Sequence, residues 1–457
     1  MNFDDIKSIH FVGIGGIGMS GIAEVLAASG FTVSGCDLKA SDATDLLRSR
    51  GVSVVLGHDP VHLAGIDLVV VTAAVRGENR EIDAAHASGL PVLRRSEMLG
   101  EIVNRKRAVG VAGTHGKTTT TAMVATILEE AGLDPTVLVG GMVRNFGTNA
   151  KVGRGELLVV EADEYDRTFH HLRPEVAVVT NIEADHLEYY GTFENIVEAF
   201  RVYLQGVRPG GAVIGCIDDP AVADVLDSLD SAKVRVVRYG LDAGADVTAK
   251  GITFDERGSS FEVPGAGFFK LFVPGLHNVR NALAAIAAGL ELHVEVPVIA
   301  AALAKYLGVN RRFQILGDYT GALIVDDYAH HPTEIRATIA AARSGYPHRR
   351  VVALFQPHLY SRTRDFAAEF ASALSTADVA IVAPIYAARE KPMEGISARL
   401  IAEKQTGIEF LDRSNNEIYN EMRRRLDPND IFITMGAGDV NEIAEMLVRA
   451  ESGGGAA

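Results

Sequence analysis

The chain has 457 residues, 47% of them hydrophobic, with 44 Lys and Arg against 59 Asp and Glu for a formal net charge of −15. That length suffices for roughly three ordinary domains with cores of their own, and the acidic balance argues against a general nucleic-acid binder, whose surface must be basic to meet a phosphate backbone. No apolar run reaches the roughly 18 to 20 residues of a membrane span, and the opening Met1-Asn2-Phe3-Asp4-Asp5 lacks a basic and apolar leader pattern, so a soluble protein is expected.

The first segment runs to about residue 106. A strand over Ile9 to Val12 leads into Gly13-Ile14-Gly15-Gly16-Ile17-Gly18, then a helical stretch to Ala28 closed by Gly30. This is a strand–turn–helix start with G-x-G-x-x-G spacing, and the next strand, Thr32 to Cys36, ends at Asp37, where a dinucleotide fold puts its ribose-binding acid. Only four or five strand candidates follow one another here, near Ile9, Thr32, Val52, Leu68 and Pro91, so the second half of a full dinucleotide fold is missing. The same turn can hold NAD, can hold the diphosphate of any nucleotide, or can serve as a tight turn and nothing more. Cys36 and Cys216 are the two cysteines; they are far apart and without metal-ligand spacing, as fits a reducing, cytoplasmic compartment.

The second segment spans about 107 to 309 and opens on the most informative stretch of the chain. Ala108 to Ala112 reads as a buried strand and Thr118 to Ala131 as a helix, with Gly113-Thr114-His115-Gly116-Lys117-Thr118-Thr119 between them. Loop N–H groups and a helix N-terminus then converge on one anion, Lys117 suits the β- and γ-phosphates of ATP, and Thr118 suits Mg²⁺. The spacing departs from a strict phosphate loop, because Val111 stands where its first glycine would be. Further on, Leu157 to Glu161 and Val176 to Asn181 are strands whose carboxyl ends carry Glu161 and the Asp185-His186 pair, the place where ligands gather in open α/β sheets. Thr118 and Glu161 offer the hard oxygens Mg²⁺ takes. His186 is either a further ligand, oriented by Asp185, or a structural hydrogen-bonder. Between Val247 and Val273 alternation with several glycines predicts a small antiparallel excursion. Asn278 and Asn281 then share one face of an alanine-rich helix start, able to read an adenine edge or a phosphate, or to cap the helix.

The third segment, from about 310, repeats the alternation, with strands near Leu323, Val351, Val379, Ile408 and Ile431. Asp326 and Asp327 end a strand ahead of the helix that Pro332 and Thr333 begin; such a pair suits ribose hydroxyls and equally suits helix capping. His358, Arg362 and Arg364 follow the next strand, where arginine forks would recognise a carboxylate or simply be solvated. The terminal Gly453-Gly454-Gly455-Ala456-Ala457 reads as a frayed tail.

Together these stretches resemble the Mur ligase family along essentially the whole chain, and within it the alanine-adding branch. The resemblance rests on Gly13 to Ser20, Gly113 to Thr121, Glu161-Ala162-Asp163-Glu164, Asn181 to Tyr190, His277 to Asn281, Arg311-Arg312-Phe313 and Asp327 to Glu334. It implies an α/β fold of three domains: 1–106, Rossmann-like, for a UDP-sugar; 107–309, a central P-loop ATPase-like domain with a mostly parallel sheet; and 310–457, Rossmann-like, with the amino-acid site and a flexible tail. By that likeness Lys117, Glu161, His186 and Arg312 form the catalytic set, and Thr118, Glu161 and His186 hold Mg²⁺. ATP is held by Gly113 to Thr119, by Asn278 and Asn281 near adenine, by Arg312 at the γ-phosphate and by Asp327 at the ribose. Gly15, Gly16, Ile17, Gly18 and Asp37 take the UDP-sugar, and His358 with Arg362 or Arg364 lies near the amino acid.

The reaction so implied joins L-alanine to the lactyl carboxylate of UDP-N-acetylmuramate through an acyl phosphate, in peptidoglycan precursor synthesis. Its partners are those small molecules, with ATP and Mg²⁺ as cofactors and neither nucleic acid nor membrane; a homodimer is left open. Many relatives carry a carbamylated lysine about a dozen residues after the strand-end histidine, whereas 182–205 contains no lysine here, as in the alanine-adding branch. Three rivals are a ligase that loads a ready-made murein tripeptide onto the same UDP-sugar, an NAD-dependent dehydrogenase, and a non-catalytic nucleotide-regulated binding module, which would have no turnover for Lys117→Ala to abolish. Gly13 to Ser20 favours the alanine-adding branch over the first, and the second leaves Lys117 and Glu161 without a role.

Overall fold

The computed structural model describes residues 3–72, 75, 78–388 and 390–453; the end of the expected frayed tail, 454–457, lies outside them. The chain forms two compact units, one of Met1–Ala249, Pro264–Ala266 and Arg280–Tyr306, the other of Lys250–Val263, Gly267–Val279 and Leu307–Ala457.

In the first unit, a five-stranded sheet has the order Ser53–Leu56, Thr32–Asp37, Ser8–Val12, Leu68–Val71, Val92–Arg94. All its pairings are parallel, with Ile9 opposite both Val33 and Leu68. The strand order therefore reverses around Ser8–Val12, which opens a crevice at the carboxyl ends of the strands. Ile9, Phe11 and Val12 are fully buried, as expected of a parallel strand covered on both faces. Among the described residues this sheet has five strands and no sixth strand of a full dinucleotide sheet, in line with the strand candidates in the sequence.

The second sheet of this unit has seven strands in the order Arg235–Tyr239, Ala212–Cys216, Val176–Val179, Arg107–Ala112, Leu157–Glu161, Thr136–Val143, Thr148–Lys151. Its edge strand Thr148–Lys151 is antiparallel and the rest are parallel. Val109 sits opposite Val176 on one side and Val159 on the other. One buried cluster runs from Ile9 and Phe11 through Met98 to Leu158 and Val213, so these two sheets share a continuous core.

The second unit contains the expected antiparallel excursion, a three-stranded sheet of Lys250–Asp255, Gly258–Val263 and Gly267–Leu271. Its larger sheet has the order Gln314–Tyr319, Ala322–Asp327, Asp430–Met435, Arg350–Phe355, Val379–Val382, Ile408–Phe410. Every strand foreseen in this part of the chain forms. The edge strand Gln314–Tyr319 was not foreseen, because it is half exposed, irregular near Gly317 and antiparallel to its neighbour, and so carries no core pattern. Among the described residues, no helix is long and apolar enough to cross a membrane.

Gly35 shows how closely the first sheet packs on the glycine turn. A Cβ there would lie 2.5 Å from Ile14 Cδ1 and 2.8 Å from the backbone oxygen of Phe11. Gly35→Ala is expected to destabilise the protein by about 1–3 kcal/mol through overpacking, read as a lower midpoint in urea-induced unfolding; an unchanged midpoint would show that the turn has slack.

Candidate active site

The phosphate loop is built where the second sheet reverses. Strand Arg107–Ala112 ends at Gly113, with φ of 137°, and Gly116, with φ of 82°, is the left-handed residue that starts helix Lys117–Glu130. Both conformations favour glycine. A Cβ on Gly113 would meet Thr180 Oγ1 at 1.9 Å, and one on Gly116 would meet Asn281 Oδ1 at 2.6 Å. The neighbouring strand clamps the loop: Thr114 N–H donates to Asn181 O at 3.0 Å and His115 N–H to Asn181 Oδ1 at 2.8 Å. Thr180 Oγ1 and Asn181 Nδ2 both donate to His115 O, at 2.5 and 3.0 Å.

Lys117 is nearly buried. Its ammonium donates to Gly113 O at 2.5 Å, Thr114 O at 3.2 Å and the two Glu164 oxygens at 2.9 and 2.8 Å. Burial alone would lower its pKa, but the carboxylates of Glu164, Asp163 and Glu161 together raise it, so it stays charged. Burial lifts Glu164 above the ordinary carboxylate range, while Lys117 pulls it down. Beside this pair, Thr118 Oγ1 donates to both Glu161 oxygens at 3.0 Å, and Gly140 N–H donates to Glu161 Oε2 at 2.7 Å. A hydroxyl and a carboxylate facing one point are hard oxygen donors, and they fit Mg²⁺. His186 has φ of 55° at the start of the short helix Leu187–Tyr190, with its ring edge-on to Tyr165 at 5.0 Å and its Nε2 3.9 Å from Asp185 Oδ2.

Two cavities adjoin the first glycine turn. One, of about 610 Å³, is lined by Gly13, Gly15, Gly16, Asp37, Ser41 and Thr72, at the crevice of the five-stranded sheet. Asp37 Oδ2 accepts from Gly15 N–H at 2.8 Å. The other, of about 100 Å³, lies between Ile17, Gly18 and Arg95 on one side and Gly140, Glu161 and Asp163 on the other. Ile17, on its rim, is 61% exposed.

In the second unit, Asp327 is buried and accepts from Phe313 N–H at 2.7 Å and Ala329 N–H at 2.8 Å. Burial pushes its pKa up to about 6 against the pull of Arg312. Arg312 lies over the Tyr328 ring at 5.3 Å and 3.5 Å from Glu334 Oε1. Asn278 is buried and donates to Pro274 O at 2.7 Å. His358 stacks on Tyr386 at 6.0 Å. Arg362 is half-buried on helix Tyr360–Asp365, whereas Arg364 is exposed and paired with Asp365 at 2.6 Å.

Family models match nearly the full length: the Mur ligase family, catalytic domain, over 8–107; the Mur ligase middle domain over 111–289; and the Mur ligase, glutamate ligase domain, over 311–438. The UDP-N-acetylmuramate–L-alanine ligase of Geobacter sulfurreducens is 45% identical over 98% of this chain and 98% of its own. The chain belongs to the Mur ligase family. Among solved Mur ligases, the UDP-N-acetylmuramate–alanine ligase of Thermotoga maritima superposes with a TM-score of 0.81 at 30% identity, covering 98% of this chain and 100% of that one. The murein peptide ligase of Psychrobacter arcticus gives 0.69 at 27%, covering 97% and 98%.

For this Mur ligase the structure brings Gly113 to Thr119, Glu161 and Asn281 together, and gathers Gly15, Gly16 and Asp37 about one cavity. Four residues take roles that the motifs did not assign: Thr180 and Asn181 clamp the loop, Glu164 pairs with Lys117, and Arg95 borders the small cavity. Strand register brings Thr180 beside the loop, with Val179 opposite Ala112, and register is not written in one strand's residues. Asp327 offers a pH test. A folded-state pKa raised from 3.8 to about 6 means the folded protein holds the proton more tightly, so this stability is full below about pH 4 and lost as pH rises through about 6. Across that window the stability of the native chain relative to Asp327→Asn should fall by at most about 3 kcal/mol, in chemical denaturation at stepped pH; a constant difference would place the titration elsewhere.

Proposed function

We propose that this Mur ligase is an ATP-dependent carbon–nitrogen ligase that joins L-alanine to the lactyl carboxylate of UDP-N-acetylmuramate, a step of peptidoglycan precursor synthesis. The observation that carries the reading is the Lys117 loop facing Thr118 and Glu161, with a cavity running from Glu161 to the glycine turn of the first sheet. A carboxylate is a poor electrophile, and ATP gives it a leaving group. The lactyl carboxylate attacks the γ-phosphorus in line, the bond to the β-phosphate oxygen breaks, and an acyl phosphate forms. The alanine amine then attacks the acyl carbon, loses a proton, and inorganic phosphate departs.

In this scheme Lys117 exchanges Glu164 for the β- and γ-phosphates, so its charge follows the transferring group. When bound, Mg²⁺ would neutralise phosphoryl charge from a seat on Thr118 and Glu161, with His186 as a further ligand. Asn281 lies against Gly116 and serves the nucleotide end of the loop. Gly15, Gly16, Ile17, Gly18 and Asp37 take the UDP-sugar, which would lead its carboxylate past Gly18 toward Glu161. Within the second unit the roles of Asn278, Arg312, Asp327, His358, Arg362 and Arg364 rest on the family likeness. A cytoplasmic location belongs to the same reading, because ATP and a UDP-sugar are cytoplasmic substrates.

Phosphate release in the presence of ATP and Mg²⁺ should require both UDP-N-acetylmuramate and L-alanine, and oxygen-18 placed in the lactyl carboxylate should pass into the phosphate released. Release without the sugar, or label retained wholly in the amide product, contradicts acyl phosphate activation. Preference for a murein tripeptide over L-alanine as acceptor would move the assignment to the peptide-loading branch. Lys117→Ala should lower kcat/KM on the order of a hundredfold to a thousandfold. Glu161→Gln should raise the Mg²⁺ concentration for half-maximal rate by about tenfold or more.

A further inference from the structure

Behind the nucleotide crevice of the first sheet, His10, Cys36, His62 and Glu81 converge, with one ligand atom of each within 4.8 Å of all the others. They come from four places in the chain: strand Ser8–Val12, strand Thr32–Asp37, the turn Pro60–Leu63 and the first turn of helix Arg80–Ala87. Glu81 Oε1 lies 2.9 Å from His10 Nε2 and 3.0 Å from His62 Nδ1, and Cys36 Sγ is 2.9 Å from Glu81 Oε2. His10, Cys36 and Glu81 are at most 1% exposed. His58 stands at the rim, its Nδ1 3.1 Å from Cys36 Sγ, and lines the 610 Å³ cavity, which gives an ion a way in.

The set combines a thiol, two imidazoles and a carboxylate, the mixed sulfur, nitrogen and oxygen ligands of a borderline-soft divalent ion. His10 is oriented as a ligand would be. Ser34 Oγ engages its Nδ1 at 2.8 Å, while its buried Nε2 approaches Glu81 without the alignment of a hydrogen bond; a partner on the outer nitrogen is what fixes a metal-binding imidazole. With bonds of about 2.0–2.3 Å, tetrahedral ligands stand about 3.3–3.8 Å apart, so the contacts found here would open by less than about 1 Å to admit an ion.

We propose that His10, Cys36, His62 and Glu81 form a tetrahedral site for a divalent transition ion of zinc's chemistry, distinct from the Mg²⁺ seat at Thr118 and Glu161. Binding replaces the Cys36 thiol proton, which leaves to solvent as the metal–sulfur bond forms.

The full-length protein, stripped with chelator and titrated with Co²⁺ alone, should take up one equivalent with a thiolate-to-cobalt charge-transfer band and the intense visible absorption of tetrahedral cobalt, both erased by one equivalent of Zn²⁺. Cys36→Ser should abolish the thiolate band and Cys216→Ser should keep it. His62→Ala, at a partly exposed position, should keep the far-ultraviolet circular dichroism of the parent and bind Co²⁺ at least about tenfold more weakly. Absence of a thiolate band, its survival in Cys36→Ser, or unchanged affinity in His62→Ala would each overturn the site, leaving a hydrogen-bonded hub around Glu81.

Discussion

One ammonium group organises the candidate active site. Lys117 is enclosed by carboxylates at 161, 163 and 164, all of which act on its charge. The three N–H bonds of the ammonium meet four oxygens, two of them on Glu164. Buried ion pairs of this kind are weak contributors to net stability and costly to break on one side only. What the pair provides is placement: it holds a charged lysine folded back on its own loop.

That loop is only as well positioned as the strand beside it. Thr180 and Asn181 supply four hydrogen bonds between loop and strand end, and Gly113 is the residue that lets Thr180 approach. Below the loop, Gly110 makes room for the Tyr203 hydroxyl, which donates to Gly110 O at 3.0 Å. Tyr203 is fully buried. The phosphate loop is thus pinned from the strand side and from beneath, and the core shared by the first two sheets extends that rigidity to the first glycine turn.

Much of this was legible in the sequence because it depends on local pattern. The apolar runs at Ile9, Ala108, Leu157 and Val176, the two glycine turns and the Lys117-Thr118 pair each announce their element within a few residues. Asp37 could be placed because it ends the strand after a G-x-G-x-x-G turn, and the structure joins it to Gly15. Features set by tertiary pairing were not legible. Nothing in Thr180-Asn181 alone says which loop lies opposite, and the half-exposed strand Gln314–Tyr319 has no alternation to betray it. Cys36 was read as having no metal-ligand spacing, which holds along the chain; its neighbours His10, His62 and Glu81 are brought to it by parallel pairing and a helix start.

The two cavities beside the first glycine turn are successive. Gly13, Gly15 and Gly16 border the larger, and Ile17 and Gly18 border the smaller, whose far wall is Glu161 and Asp163. A molecule anchored at Asp37 and following the backbone would reach the acidic wall only after passing the first turn of helix Ile17–Ala28. The stretch from Gly15 to Gly18 thus borders both cavities in turn, and its length fixes the spacing between Asp37 and the acidic wall.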